Sequence, residues 1–329
     1  MAYDNIKLEK GLYTTGKSFT QALEQLDPSE NYKGTSLEGL DAFERQLKRF
    51  DIKVSGKNSD TISKFFSTTD AAVLFPEFIS RAVKNGMAGN DTLENIVATT
   101  TLIDTLDYRS INLLGEQDDY YLEEVGEGEA LPELTIGVKS TLTELKKFGR
   151  MITASYEAIK FQKLDVFSLA LKRIGEGISH SQFAEALSSI IVDETETLKT
   201  AGSTFTYDDF VKLWLSLQPY TMTTLVANPT TISEILKISE FKDANAGLDF
   251  HGTGKLITPF GAEIICYDSI NAGTVIALDK NYAVEKVVAS DVTTEFDKII
   301  DRQLERAAVS TIVGFSPVFS DAVKVLSKA

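Results

Sequence analysis

A single cysteine, Cys266, stands in a chain of 329 residues, so no disulfide can form within it and no thiolate cluster can hold zinc. A reducing compartment suits such a chain. Histidine is nearly absent: His180 and His251 are the two present, and any histidine triad or two-histidine metal site would have to draw on them. No window approaches the run of about 18 apolar residues that a membrane span requires, and the start MAYDNIKLEKGLY is too polar for a signal peptide. The chain is expected to stay where it is made and to make no membrane contact. Positive charge is scarce as well, with 33 Lys and Arg against 48 Asp and Glu and a net charge of -15. That balance argues against a protein that neutralises nucleic acid phosphates with a basic face. Any contact with DNA should be loose and blind to sequence.

What is present is ample apolar material, 43% of the residues, enough for one large domain or two ordinary ones. Residues 1 to about 64 read as polar helical pieces broken at Pro28, Gly34 and Gly56. In SLEGLDAFERQLKRF, Ser36 is the candidate N-cap, and Leu40, Phe43, Leu47 and Phe50 recur at helical spacing. This apolar face is narrow and calls for a partner surface. STTDAAVLFPEFISRAVKNGM reads as an extended run to Phe75-Pro76 and then a short helix capped near Gly86.

From Leu106 to Met151 the pattern is strand, acidic tip, strand, predicting one long hairpin. Arms of about 15 residues at about 3.3 Å each would reach roughly 50 Å, further than a compact domain's radius. A lone ribbon of that kind must lie on another element or another subunit. From Ser155 to about Val192, Ile159, Leu164, Phe167, Leu171, Ile174, Ile178, Phe183, Leu187 and Ile191 repeat at helical intervals. Unbroken, that helix would run about 55 Å, with a bend expected at Gly175 and Gly177. Beyond Gly202 come a helix over 207–217, strand TLVANP, a helix over 229–238, and strands around KLIT, AEIICY and TVIAL. YAVEKVVA, VTTEF and AAVSTIVGFSPVF close the chain as strands, which predicts an α+β fold.

The acidic tip EEVGEGEALPEL invites a calcium reading. With Gly126 at the sixth position of an EF-hand loop, Tyr121 falls first, Val125 fifth and Pro132 twelfth, so three ligand positions are wrong. A solvated hairpin tip fits better. HGTGKL at 251–256 fails as a phosphate loop, because Asp249 replaces the first glycine and Leu256 the Ser or Thr. GISHS at 177–181 fails as a nucleophile elbow, because Ser181 replaces the last glycine and the segment reads as helix. Carboxylate pairs are too abundant to be diagnostic. No catalytic signature emerges, and neither an enzyme nor a cofactor is expected.

In their order these segments resemble the major capsid protein of tailed bacteriophages, the Hong Kong 97-like capsid fold. The likeness rests on AFERQLKRFDIKVSGKNSDTISKFF for an N-terminal arm, VGEGEALPELTIGVKSTLTELKKFGRMITASYEAI for the extended E-loop, and DVFSLALKRIGEGISHSQFAEAL for the spine helix. TTLVANPTTISEI resembles an axial-domain strand and helix, and RAAVSTIVGFSPVFSDAVKVL the closing strand. Lys147-Phe148-Gly149 and Ser155-Tyr156-Glu157 take the places of the family's turn and spine-helix entrance. The resemblance implies an arm over 1–64, an arm exit and start of the peripheral domain over 65–105, and an E-loop over 106–152. It further implies a peripheral domain with spine helix over 153–202, an axial domain over 203–281 and return strands over 282–329.

The function so implied is a non-enzymatic shell subunit that forms pentamers and hexamers of an icosahedral head around double-stranded DNA. It would be assembled in the host cytoplasm and carried in the virion, with portal, scaffolding or decoration proteins as partners. Some family members crosslink an E-loop lysine to an asparagine. Here Lys139, Lys146 and Lys147 and Asn228, Asn271 and Asn281 sit in no matching motif, so no crosslink is expected. Two alternatives stay open: an encapsulin-like nanocompartment shell of the same fold, and an acid-loop metallohydrolase. The expected assembly residues are Gly126, Glu127, Gly128, Glu129 and Pro132. In that reading the glycines supply bend, Pro132 ends the tip, and the glutamates are solvated or paired with a neighbour's basic residues.

Overall fold

Capping fixes the first helices. In the computed structural model, which describes residues 2–14, 18–89, 92–114, 124–131, 133, 135–191, 195–241, 256–302 and 304–329, Ser18 and Gln21 close a capping box on α1 (Phe19–Leu26). Asp41 and Glu44 do the same for α2 (Ala42–Arg49), satisfying N–H groups that a helix start leaves unpaired. Ser36 is therefore not the cap: the chain turns from Thr35 to Gly39 first, with Gly39 at φ 83°. The segment expected to be extended up to Pro76 is helical instead, as α3 (Thr69–Ala72) and α4 (Phe75–Ala88). Pro76 lies in the first turn of α4, where a missing N–H costs nothing. α4 also runs through Gly86 rather than ending there.

After β1 (Val97–Leu102), β2 (Ile111–Leu114), β3 (Thr135–Val138) and β4 (Leu145–Ser155), the expected long helix is split into α5 (Tyr156–Phe161) and α6 (Leu164–Ile190). The cause is the N-terminal segment. Ile62 N–H donates to the Gln162 carbonyl at 3.0 Å and Leu164 N–H donates to the Asp60 carbonyl at 2.9 Å, holding Gln162 extended at ψ 132°. Ser155 caps α5, accepting from Ala158 N–H at 3.2 Å. The 27 residues of α6 span about 40 Å. Lys147-Phe148-Gly149 is not a turn but lies inside β4. A Cβ at Gly149 would stand 2.6 Å from the Val309 carbonyl oxygen, so glycine admits the neighbouring backbone there.

The remaining elements are β5 (Thr197–Lys199), α7 (Tyr207–Ser216), β6 (Thr224–Ala227), α8 (Pro229–Ile235), β7 (Glu263–Cys266), β8 (Thr274–Leu278), β9 (Val284–Ile299), β10 (Leu304–Pro317) and β11 (Val323–Ser327). Among the described residues three sheets form, ordered β1-β9-β10-β4, β5-β11-β8-β6-β7 and β2-β3. The architecture is α+β. By contacts the chain divides into two units. The first holds Met1–Asn90, Lys147–His180 and Asp291–Thr311, and the second holds Asp91–Lys146, Ser181–Ser290 and Ile312–Ala329.

The first unit has an apolar core that draws Leu8, Phe19, Phe43 and Leu47 together with Leu171, Val292 and Val309. The narrow face of α2 thus finds its partner surface within its own chain. Beside it lies a buried polar network. Arg45 and Asp27, both fully buried, form an ion pair at 2.7 Å. Tyr32 OH donates to Asp27 Oδ1 at 2.5 Å, and the Arg45 guanidinium sits 4.4 Å from the Tyr32 ring centroid. In the second unit, α7 and α8 bury Phe210, Leu213, Ile232 and Ile235 with Leu225, Ala227, Val275 and Ala277 of the five-stranded sheet. Within that sheet β6 is parallel to β7 and antiparallel to β8, and β11 is parallel to β5 and antiparallel to β8.

Candidate functional site

The hairpin exists, but its ladder is short. β2 and β3 pair antiparallel over four positions, Ile111↔Val138 to Leu114↔Thr135, a length of about 13 Å. The outgoing arm does not continue as one strand into β4, which joins the sheet of β10 instead. The break has a local cause: the Arg109 guanidinium takes the carbonyls of Lys139 and Ser140. Two further bonds keep the legs together below the break, from Lys139 N–H to the Ser110 carbonyl and from Thr143 N–H to the Tyr108 carbonyl, each 2.9 Å. On one face of the ribbon, the β-branched side chains of Ile111, Ile136 and Val138 are 45%, 69% and 66% exposed. Leu131 nearby is 75% exposed.

At the tip, Gly126 to Glu129 make a β-turn closed by Glu129 N–H donating to the Gly126 carbonyl at 3.1 Å. Gly128 has φ 86° at the third position, as a type II turn demands of that residue. The Glu129 carboxylate turns back to accept from Gly126 N–H at 3.0 Å. Gly126, Glu127, Gly128 and Glu129 are all exposed, and Pro132 lies outside the described residues. Among the described residues, no group of three His, Cys, Asp or Glu side chains is placed to hold a metal ion, and no helix is long and apolar enough to cross a membrane.

The root of the hairpin is a buried polar site centred on one carboxylate. Glu285 on β9 is 5% exposed, and its carboxylate accepts from Thr101 Oγ1 at 2.5 Å, Tyr108 OH at 2.6 Å and Ser110 Oγ at 2.5 Å. Burial, and then the hydrogen bond to Glu285, push the Tyr108 phenol above its ordinary range. The returning leg is held separately. The Lys139 ammonium donates to the Pro317 carbonyl and reaches Ser316 Oγ at 3.4 Å. Burial pulls its pKa down, partly offset by the charge of Glu285. Sequence reasoning passed over Glu285 entirely.

The remaining candidates are spread apart. Lys146 pairs with Glu185 at 2.6 Å. Asn228 is the buried N-cap of α8, accepting from Thr231 N–H at 2.7 Å and donating to the Ile270 carbonyl at 3.2 Å. Asn281 donates to Asp279 Oδ1 at 3.0 Å. His180 lies on α6, so GISHS is helical, and His251 lies outside the described residues.

Comparison with known proteins agrees with this architecture. The virus-like particle protein of Pyrococcus furiosus is 16% identical, with a TM-score of 0.54 over 77% of this chain and 99% of that one. The capsid of an empty GTA particle is 16% identical, with a TM-score of 0.55 over 73% and 90%. The holo-SrpI encapsulin of Synechococcus elongatus is 14% identical, with a TM-score of 0.50 over 70% and 84%. At such identities the likeness is one of fold, the Hong Kong 97-like capsid fold. A comparison with curated proteins gave no match. The model of the family described as phage capsid protein, however, matches residues 138–317, more than half of the chain. This chain belongs to the phage capsid protein family and is a structural, non-enzymatic shell protein.

Proposed function

We propose that the chain is a major capsid subunit that assembles into pentamers and hexamers and encloses double-stranded DNA in an icosahedral head. The observation that carries this reading is the exposed apolar face of the β2–β3 ribbon. Two paired strands with one such face are marginal in water, and side chains as exposed as Ile136 and Val138 gain most by burial on another subunit. The reading assigns 1–64 to the arm, 65–105 to its exit, 106–152 to the E-loop and 153–202 to the peripheral domain with α6 as spine helix. The axial domain takes 203–281, and the return strands take 282–329. The tip residues Gly126, Glu127, Gly128 and Glu129, with Pro132, then reach over a neighbour. Portal, scaffolding or decoration proteins are the further partners, the virion is the destination, and the host cytoplasm is the place of assembly. The net charge of -15 suits a wall that does not hold the DNA it surrounds.

Sedimentation and electron microscopy of the purified chain test the proposal. Megadalton shells or stable capsomer rings are expected, and a persistent 36.1 kDa species would overturn it. The encapsulin similarity supports a second reading, a nanocompartment around a cargo protein. The contents of purified particles separate the two, DNA supporting the head and a protein cargo the compartment.

A further inference from the structure

The root of the hairpin is held by bonds that a simple strand-to-loop connection does not require. Tyr108 and Ser110, on the outgoing leg, both donate to a carboxylate on β9, and Lys139, on the returning leg, donates to the end of β10. At the root the two legs are tied to each other by the backbone bonds at Ser110–Lys139 and Tyr108–Thr143 and by the Arg109 guanidinium on the carbonyls of Lys139 and Ser140. The hydroxyls on Glu285 also come from three separate points, Thr101, Tyr108 and Ser110. A side-chain carboxylate that accepts several hydroxyl donors in a buried site makes strong, directional bonds, and losing the shared acceptor strands every donor.

We propose that Glu285 is the positioning residue of the hairpin, fixing its outgoing leg directly and its returning leg through the backbone bonds from Lys139 and Thr143, and so where its apolar face is presented to a second copy of this chain. The inference rests on the proposed shell function for its assembly consequence, but not for its local one. An apolar ribbon whose root pivots would meet its neighbour in many orientations and close no shell. Glu285 acts through Tyr108 and Ser110, whose hydroxyls it holds.

Hydrogen exchange of the full-length subunit, with sedimentation of the assembled material, tests this in two variants. Glu285→Ala removes the acceptor, and the double variant Tyr108→Phe, Ser110→Ala removes two donors while leaving the strand intact. In both, the amides of Lys139 and Thr143 should exchange at least about tenfold faster, as the loss of a charge-assisted bond implies. The amides of Ile276 and Ala277 in β8 should be unchanged, and particle yield should fall by a similar factor. Unchanged exchange at Lys139 and Thr143, or equal acceleration in β8, would overturn the proposal, the latter because Glu285 would then merely support the core. Should Glu285→Ala fail to fold, the double variant decides. Should the wild-type chain form no particles, the shell reading falls while the exchange result still judges Glu285.

Discussion

Gly86 of α4 and Gly175 of α6 face each other's backbones: a Cβ on Gly86 would collide with the Lys172 carbonyl, and one on Gly175 with the Val83 carbonyl and the Met87 N–H. The two glycines let the helices cross at backbone contact. A Cβ on Gly177, two residues on, would meet nothing within 4 Å. Gly175→Ala should therefore destabilise the subunit by about 1–3 kcal/mol or more through overpacking. Gly177→Ala should stabilise it by roughly 0.5–1 kcal/mol through helix propensity. Urea unfolding of the two variants checks the opposite signs.

Arg45 and Asp27 are both without solvent contact, so removing one leaves the other as a buried, uncompensated charge. Arg45→Ala should cost about 3–5 kcal/mol. Circular dichroism melts of the full chain would register it. The Arg45→Met, Asp27→Leu pair should recover much of the loss.

Asp209 gives the stability a defined dependence on acid. Burial alone would raise its pKa, but donors from Thr206 and from Ala201 N–H outweigh that and lower it below the ordinary 3.8. A depressed folded-state pKa stabilises above the unfolded value and loses that stabilisation as pH falls through the folded one. Stability from Asp209 should thus be flat near neutrality and decline below pH 3.8. Asp209→Asn should cost about 1.5–3 kcal/mol at pH 7, with the gap to wild type closing in acid.

Glu127 and Glu129 differ in their local use, since Glu129 caps its own turn and the Glu127 side chain is exposed. Reversal of both to Lys should reduce particle formation while the subunit melt moves little, as surface substitutions commonly shift stability within about 0.5 kcal/mol. A subunit that no longer folds would contradict an assembly role for the tip.

Much of this fold was legible because local rules and tertiary packing agree. In α6, Leu164, Leu171, Ile178, Phe183 and Leu187 all point inward, as their spacing predicts. β6 is buried along its length and β8 from Val275 to Leu278, as their continuous apolar runs predict. The misreadings arise where a distant segment intervenes. The split after α5 follows from Asp60 and Ile62, about a hundred residues earlier, and the long hairpin arm is interrupted by Arg109 reaching across to Lys139 and Ser140. Glu285 was invisible for the same reason. It is one of 48 acids, and its hydroxyl partners lie 175 to 184 positions away, beyond the reach of any motif.

The core of the first unit joins Leu8 and Phe19 to Val292, Ala307 and Val309. A nascent chain cannot complete that core until residue 309 has been synthesised. A chain stopped before β9 therefore lacks the strands on which that core closes, and with them a complete first unit.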